Sequence, residues 1–128
     1  MTDEDKEDPY QDMIVDNEDE PKEKIKENLQ NYLGFTSDGE NVYKEGYDGL
    51  SSPEKIIVEL LGSKVRVSLE FEDEEGYPLS ELVERLEYNK STVKGRVYGG
   101  ISDIVISDDG QLHIPNYKVP KALEKLED

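Results

Sequence analysis

Three basic residues lie close together in a stretch of the chain that carries no acid. Residues 88–100 contain no aspartate or glutamate, whereas three positive charges come from Lys90, Lys94 and Arg96. The 128-residue chain as a whole has 15 basic and 32 acidic residues, and its formal net charge is −17. Because lysine and arginine side chains bind phosphate oxygens, a locally basic segment in so acidic a protein predicts contact with nucleic acid.

Few residues of this chain have the types and spacing that catalysis or metal binding requires. The sequence has no cysteine and one histidine, His113, which alternates with Leu112 and Ile114 on a predicted strand and should point outward. A transition-metal site would need mostly carboxylates, and no segment has the D-x-D-x-D-G spacing of a calcium loop. The phosphate-binding loop and the G-x-S-x-G motif are also missing from the sequence. We expect a non-enzyme without catalytic residues, metal or cofactor.

Two short amphipathic helices are predicted to hold the basic residues at the surface. The first has apolar residues at i, i+3, i+4 and i+7, namely Leu79, Leu82, Val83 and Leu86. Residues 87–89 form a turn, and either Ser91 or Asn89 caps the second helix, in which Val93 and Val97 face inward. This spacing is that of a helix-turn-helix. Such a pair must pack on a third helix, because neither helix alone buries enough surface.

The segment before this pair contains two conflicting patterns. Ser51, Pro53 and Glu54 form a helix start, with serine as the N-cap and glutamate three residues later, as in a capping box. The helix that follows is predicted to end at Gly62. Over residues 65–72 apolar and polar side chains then alternate strictly, which by itself predicts a strand.

Two short β-type runs follow the helix pair. The runs DIVIS and QLHIP flank Asp108-Asp109-Gly110, and an Asp-Gly pair in this position favours a hairpin. Residues 52–126 thereby resemble the winged helix-turn-helix domains of archaeal and bacterial transcription regulators. ELLGSKVR resembles the entry to the first core helix, LSELVERL the second helix, NKSTVKGRV the recognition helix and IVISDDGQLHI the wing. The resemblance implies a helix, in place of the strand, over residues 64–73.

The resemblance also implies which side chains meet DNA. The second helix is expected to enter the major groove, and the DNA-binding residues are then Lys90, Ser91, Thr92, Lys94 and Arg96. We expect the lysines to contact phosphates, and either Arg96 or Lys90 to reach guanine. Gly95 departs from the pattern, since a glycine inside a helix costs about 1 kcal/mol relative to alanine. The acidic tip at Asp108 and Asp109 would repel DNA, so the wing is expected to be structural.

The rest of the chain is predicted to divide into three parts. Residues 1–20, with ten acids around an apolar triplet at 13–15, are predicted to form a disordered arm. Residues 21–50 should hold an amphipathic helix that stops at Gly34, then a linker of turns or a short hairpin over 35–50; the helix presents Ile25, Leu29, Tyr32 and Leu33. Residues 51–128 form the domain and end in a helix with Val119, Ala122, Leu123 and Leu126 on one face. Each terminal helix packs either on its own domain or on a second subunit of a homodimer.

The expected fold class is mainly α with a small β-hairpin (α+β), a winged helix-turn-helix with an acidic disordered arm and an extra amphipathic helix. The expected function is that of a transcription regulator that binds double-stranded DNA. The alternative is a protein-interaction module on the same fold, whose acidic arm binds a basic protein partner or mimics DNA. The N-terminus lacks the features of a signal peptide and no apolar run reaches membrane-spanning length, so we expect no membrane contact and a cytoplasmic location.

Overall fold

The computed structural model describes residues 9–13 and 19–127. Among these residues the chain is mixed α+β, with five α-helices and two small antiparallel hairpins. In chain order the elements are α1 (Lys22–Leu29), β1 (Leu33–Phe35), β2 (Asn41–Tyr43), α2 (Ser52–Ser68), α3 (Leu79–Leu86), α4 (Lys90–Gly95), β3 (Ile106–Asp108), β4 (Gln111–His113) and α5 (Val119–Glu127). The α+β class predicted from the sequence is confirmed at this level. No helix in the described ranges is both long and apolar enough to cross a membrane.

Helix α2 is the longest element and starts as predicted. The Ser51 side chain accepts a hydrogen bond from the Glu54 N–H at 3.4 Å, and the Glu54 carboxylate accepts one from the Ser51 N–H at 2.8 Å. This reciprocal capping box satisfies two N–H groups that the helix itself leaves unbonded. Ile56, Ile57 and residues 60–61 are fully buried, so α2 forms the centre of the core.

The predicted end of this helix at Gly62 is wrong, because the helix continues to Ser68. Gly62 serves packing instead: a Cβ at this position would lie 2.7 Å from Cδ2 of Leu33, a residue of β1. Residues 64–68 are helical, as the resemblance implied, and not the strand that alternation predicted. The implied helix over 69–73 is wrong, since Glu70 has a φ of +66° and the N–H of Phe71 bonds back to the Arg66 carbonyl at 2.8 Å. That pair of features closes a Schellman-type helix end.

Helix α1 is shorter than predicted. It ends at Leu29, and the chain turns so that Leu33 and Gly34 enter β1, where they pair with Tyr43 and Val42. Gly34 is therefore a strand residue and not the helix stop, because pairing with β2 replaces further helical hydrogen bonds. The hairpin proposed within 35–50 is present in part of that range. The segment is packed rather than a free linker, since the following 3-10 turn buries Tyr47 in the core.

The apolar faces of both terminal helices are covered within the chain. Ile25 and Leu29 of α1 belong to the same buried cluster as the four apolar residues of α5, which are Val119, Ala122, Leu123 and Leu126. Of the two arrangements left open by the sequence, packing on the same domain is the one observed. The homodimer stays a prediction.

Part of the predicted acidic arm is described. Pro9–Met13 forms a 3-10 turn in which Tyr10 and Met13 are exposed. The other arm residues up to 18, which include Ile14 and Val15 of the apolar triplet, lie outside the described residues.

A buried carboxylate joins the first hairpin to helices α2 and α3. Glu59 is only 1% exposed, and its Oε2 accepts hydrogen bonds from the hydroxyls of Tyr43 at 2.6 Å and Tyr47 at 3.3 Å. The Arg85 guanidinium of α3 lies 3.9 Å from its other oxygen. Burial raises the pKa of Glu59, and the Tyr43 hydrogen bond and the charge of Arg85 only partly oppose this effect. Burial, together with the bond to Glu59, also raises the pKa of Tyr43 to about 12.

The raised pKa of Glu59 predicts how the free energy of unfolding depends on pH. Above the ordinary value of 4.5 the native state holds the Glu59 proton while the unfolded chain releases it, so the free energy of unfolding falls as pH rises through this window. Each unit by which the pKa is raised corresponds to about 1.4 kcal/mol. We expect the fall to be smaller in Glu59→Gln, measured by urea unfolding between about pH 4.5 and pH 8. Glu84→Gln, at an exposed position of α3, controls for the loss of one negative charge; parallel profiles for all three proteins would contradict the prediction.

Candidate nucleic-acid interface

Helices α3 and α4 are joined by the three-residue turn that the sequence predicts. Leu82 and Leu86 of α3 are buried against the core. The helix ends at Glu87, which adopts a left-handed conformation with φ of 60° and lets the chain reverse. Asn89 is the N-cap of α4, which begins at Lys90, so the turn over 87–89 is confirmed.

Asn89, one of the two caps considered from the sequence, is the residue that caps α4. Its Oδ1 accepts a hydrogen bond from the Thr92 N–H at 2.8 Å and a second from the Ser91 hydroxyl at 2.9 Å. Val93 and Val97 are 0% and 2% exposed, which confirms that they face inward. The opposite side of α4 is therefore turned to solvent.

Most of the predicted DNA-binding side chains lie on this solvent-facing side. Lys90, Ser91, Lys94 and Arg96 are exposed, and Thr92 is half-buried. Neither lysine forms an ion pair with any described residue, so both ammonium groups face water. The Ser91 hydroxyl is already used at the cap, and the Arg96 Nε donates a hydrogen bond to the Ser52 hydroxyl of α2 at 2.9 Å.

Arg96 does not lie on α4, contrary to the prediction. The α-helix ends at Gly95 and is followed by a single π-helical turn, Arg96–Gly100, closed by a bond of 2.9 Å from the Ile101 N–H to the Arg96 carbonyl. Residues 95–100 include three glycines, Gly95, Gly99 and Gly100, and glycine weakens an α-helix. A Cβ at Gly95 would meet nothing within 4 Å, so close packing does not require glycine at this position. Arg96 is therefore positioned by its contact with α2 rather than by α4.

Tyr98 is a surface residue that was not among the predicted DNA-binding residues. It lies in the same π turn and is 57% exposed. An aromatic residue interleaved with basic ones in an acid-free segment is a pattern that could have identified it, since such rings stack on bases or donate a hydroxyl to phosphate.

The second hairpin has an acidic end. Asp109 and Gly110 have φ of 55° and 81°, which gives the primed turn that an Asp-Gly pair favours. An open recess of about 370 Å³ lies beside this turn, lined by Glu74, Glu75, Asp108, Asp109, Gln111 and His113. His113 is half-buried there, between the buried Leu112 and Ile114, in keeping with the predicted alternation. Within residues 9–13 and 19–127 no set of three or more acidic or histidine side chains is arranged to hold a metal ion.

The arrangement separates charge on the surface. Helix α4 and the turn after it carry exposed cations without acids, whereas the hairpin tip and the loop before α3 carry carboxylates. A polyanion would meet the first surface and avoid the second.

Comparison of the chain with protein-family models, with curated proteins and with solved structures finds no match.

Proposed function

We propose that the protein is a DNA-binding transcription regulator with a winged helix-turn-helix, in which α4 is the recognition helix. The observation that carries this proposal is the acid-free, solvent-facing side of α4, where Lys90 and Lys94 are unpaired among the described residues. As a binding module of this kind it would be no enzyme and would need no cofactor.

The packing of α3 and α4 on the core supports the assignment of α4 as the recognition helix. Buried Val93 and Val97 attach α4 and its π turn to the core, while Leu82 and Leu86 attach α3. Rigid support of this kind leaves one side of α4 free to enter a groove. The capping of α4 by Asn89 would hold Lys90, next along the chain, at the end of the helix that approaches the DNA.

The second hairpin would act as a structural wing. Leu112 of β4 is 2% exposed, and its backbone exchanges hydrogen bonds of 3.1 and 2.8 Å with Tyr77, just before α3. This pairing ties the hairpin to the start of the helix pair. Because its tip is acidic, the hairpin would stabilise the helices and would make no phosphate contact.

The net charge predicts the character of the binding. A protein at −17 gains little from non-specific attraction to DNA, so binding should require low salt or a specific sequence. A selection from random duplexes at about 50 mM salt would supply the sequence.

Replacing both Lys90 and Lys94 by alanine tests the proposal. We expect an affinity loss of at least about tenfold for the selected duplex, because two phosphate contacts are lost. Each lost contact should also make the negative slope of log K against log salt shallower by about 0.9. Fluorescence anisotropy titrations at several salt concentrations measure both quantities. Lys22→Ala with Lys26→Ala, two exposed lysines of α1, removes the same charge elsewhere and should leave both nearly unchanged. The proposal fails if neither the full chain nor one lacking residues 1–20 binds any duplex at about 50 mM salt.

A second candidate function is a protein-interaction module on the same fold. The recess lined by four carboxylates favours it, since a basic segment of a partner protein would find complementary charge there. Asp108→Asn with Asp109→Asn would then weaken binding to a lysine-rich peptide without lowering affinity for DNA. If the variant binds the peptide as tightly as the wild type does, this second candidate is refuted and the DNA-binding proposal remains.

A further inference from the structure

Three lysines near the C-terminus converge on one residue of the loop that follows the π turn. Lys118 Nζ donates to the carbonyl of Asp103 at 2.9 Å, and Lys121 Nζ lies 3.0 Å from its carboxylate. Lys125 Nζ lies 3.9 Å from the same carboxylate oxygen. Two ammonium groups beside this carboxylate and a third on the backbone carbonyl leave a local excess of positive charge. The hydrogen bond from Lys121 is the main cause that lowers the pKa of Asp103, so the carboxylate is charged at neutral pH.

This lysine cluster lies beside the π turn. Lys125, Gly100 and Ser51 line one open recess of about 230 Å³. Ser51 is next to Ser52, which accepts the hydrogen bond from Arg96. The same recess contains Glu54, whose carboxylate is already bonded to the N–H and hydroxyl of Ser51 at 2.8 and 2.9 Å. The recess therefore joins the π turn, the N-terminus of α2 and Lys125 of α5.

The side chains of the cluster are accessible to a ligand. Lys121 is 59% exposed, and Lys125 and Asp103 are 34% and 41% exposed. Weak, exposed ion pairs of this kind exchange readily with a stronger anion, since they contribute little stability in water. A phosphodiester can therefore replace the carboxylate of Asp103 in contact with both lysines.

We infer that Lys121 and Lys125 form a second phosphate-binding patch, which contacts the DNA backbone beside the segment read by α4, and that Asp103 competes with the phosphate for these lysines. The inference rests on the proposed function. The patch adds affinity without adding sequence preference, because phosphates carry no direct sequence information. Asp103 limits this affinity, and so keeps binding to unrelated DNA weak.

The test uses Lys121→Ala with Lys125→Ala in the full chain. We expect the slope of log K against log salt to become shallower by up to about 1.8, with the same relative loss on selected and unrelated duplexes. Lysine and alanine both favour helices, so α5 should persist, which circular dichroism checks. The pair Lys22→Ala and Lys26→Ala is the matched control with the same charge change.

Asp103→Asn is the complementary variant. It removes the competing carboxylate and should tighten binding several-fold at low salt, a gain that misfolding does not produce. If the wild-type chain binds DNA and the lysine variant retains its salt slope, the second patch is refuted while the proposed function stands. If Asp103→Asn leaves affinity unchanged, the competitive role of Asp103 is refuted. If neither the wild-type chain nor one lacking residues 1–20 binds any duplex at about 50 mM salt, both the patch and the proposed function are overturned.

Discussion

The substitution Gly76→Ala is expected to lower the free energy of unfolding by about 3 kcal/mol or more. Gly76 is buried and has a φ of +99°, a conformation that side chains rarely adopt. A Cβ there would lie 2.7 Å from the carbonyl oxygen of Leu112, a backbone atom that cannot rotate away. The N–H of Gly76 also donates to the Ser63 hydroxyl of α2 at 2.7 Å. Any shift that relieves the clash would therefore disturb the contacts among α2, β4 and the start of α3.

Gly110→Ala is the matched control for this prediction. Gly110 also has a positive φ, +81°, but a Cβ there would meet nothing within 4 Å. Its cost should be that of the backbone conformation alone, about 1–2 kcal/mol. Urea denaturation of both variants measures the difference. Equal losses would show that the approach of the Leu112 carbonyl contributes nothing to the effect.

Removal of residues 1–20 is expected to raise affinity for DNA by roughly tenfold or more at low salt. These residues hold ten acids and one lysine, so their removal takes the formal net charge from −17 to −8. We expect the arm to repel the duplex and to compete with it for Lys90 and Lys94. The gain should shrink between about 50 and 200 mM salt, because exposed charges are screened over shorter distances. Anisotropy titrations of both proteins on the same duplex measure it.

A chain of full length whose arm acids are replaced by asparagine and glutamine separates charge from bulk. It should bind as tightly as the truncated protein if repulsion is the cause. Lys90→Ala with Lys94→Ala should remain weak in the truncated protein, since loss of the arm does not restore the missing contacts. Equal affinity of the full-length and truncated proteins at about 50 mM salt would refute an inhibitory arm.

The parts of the fold that could be predicted from the sequence depend on short separations along the chain. The capping box joins Ser51 and Glu54, the cap of α4 joins Asn89 and Thr92, and the second hairpin depends on an Asp-Gly pair. Each of these structures is completed by residues no more than seven positions apart. Local chemistry therefore suffices to specify them.

The errors arose where distant residues decide the outcome. Gly62 was predicted to end a helix, but in the structure it packs against Leu33 inside the helix. The alternation after it, which taken alone would have predicted a strand, begins next to the buried Lys64. Within the helix the Lys64 ammonium reaches Glu75 at 3.0 Å and Asn116 at 2.7 Å, 52 positions away. No local pattern contains that information.

The same distinction between local features and long-range contacts applies to the candidate site. An acid-free basic segment after a short amphipathic helix could be predicted from the sequence alone, because charge and hydrophobic periodicity are local properties. The contact of Arg96 with Ser52, and those of Lys121 and Lys125 with Asp103, are visible only in the folded chain. Such contacts depend on how α2 and α5 pack around the π turn, and packing brings together residues that are far apart in the chain.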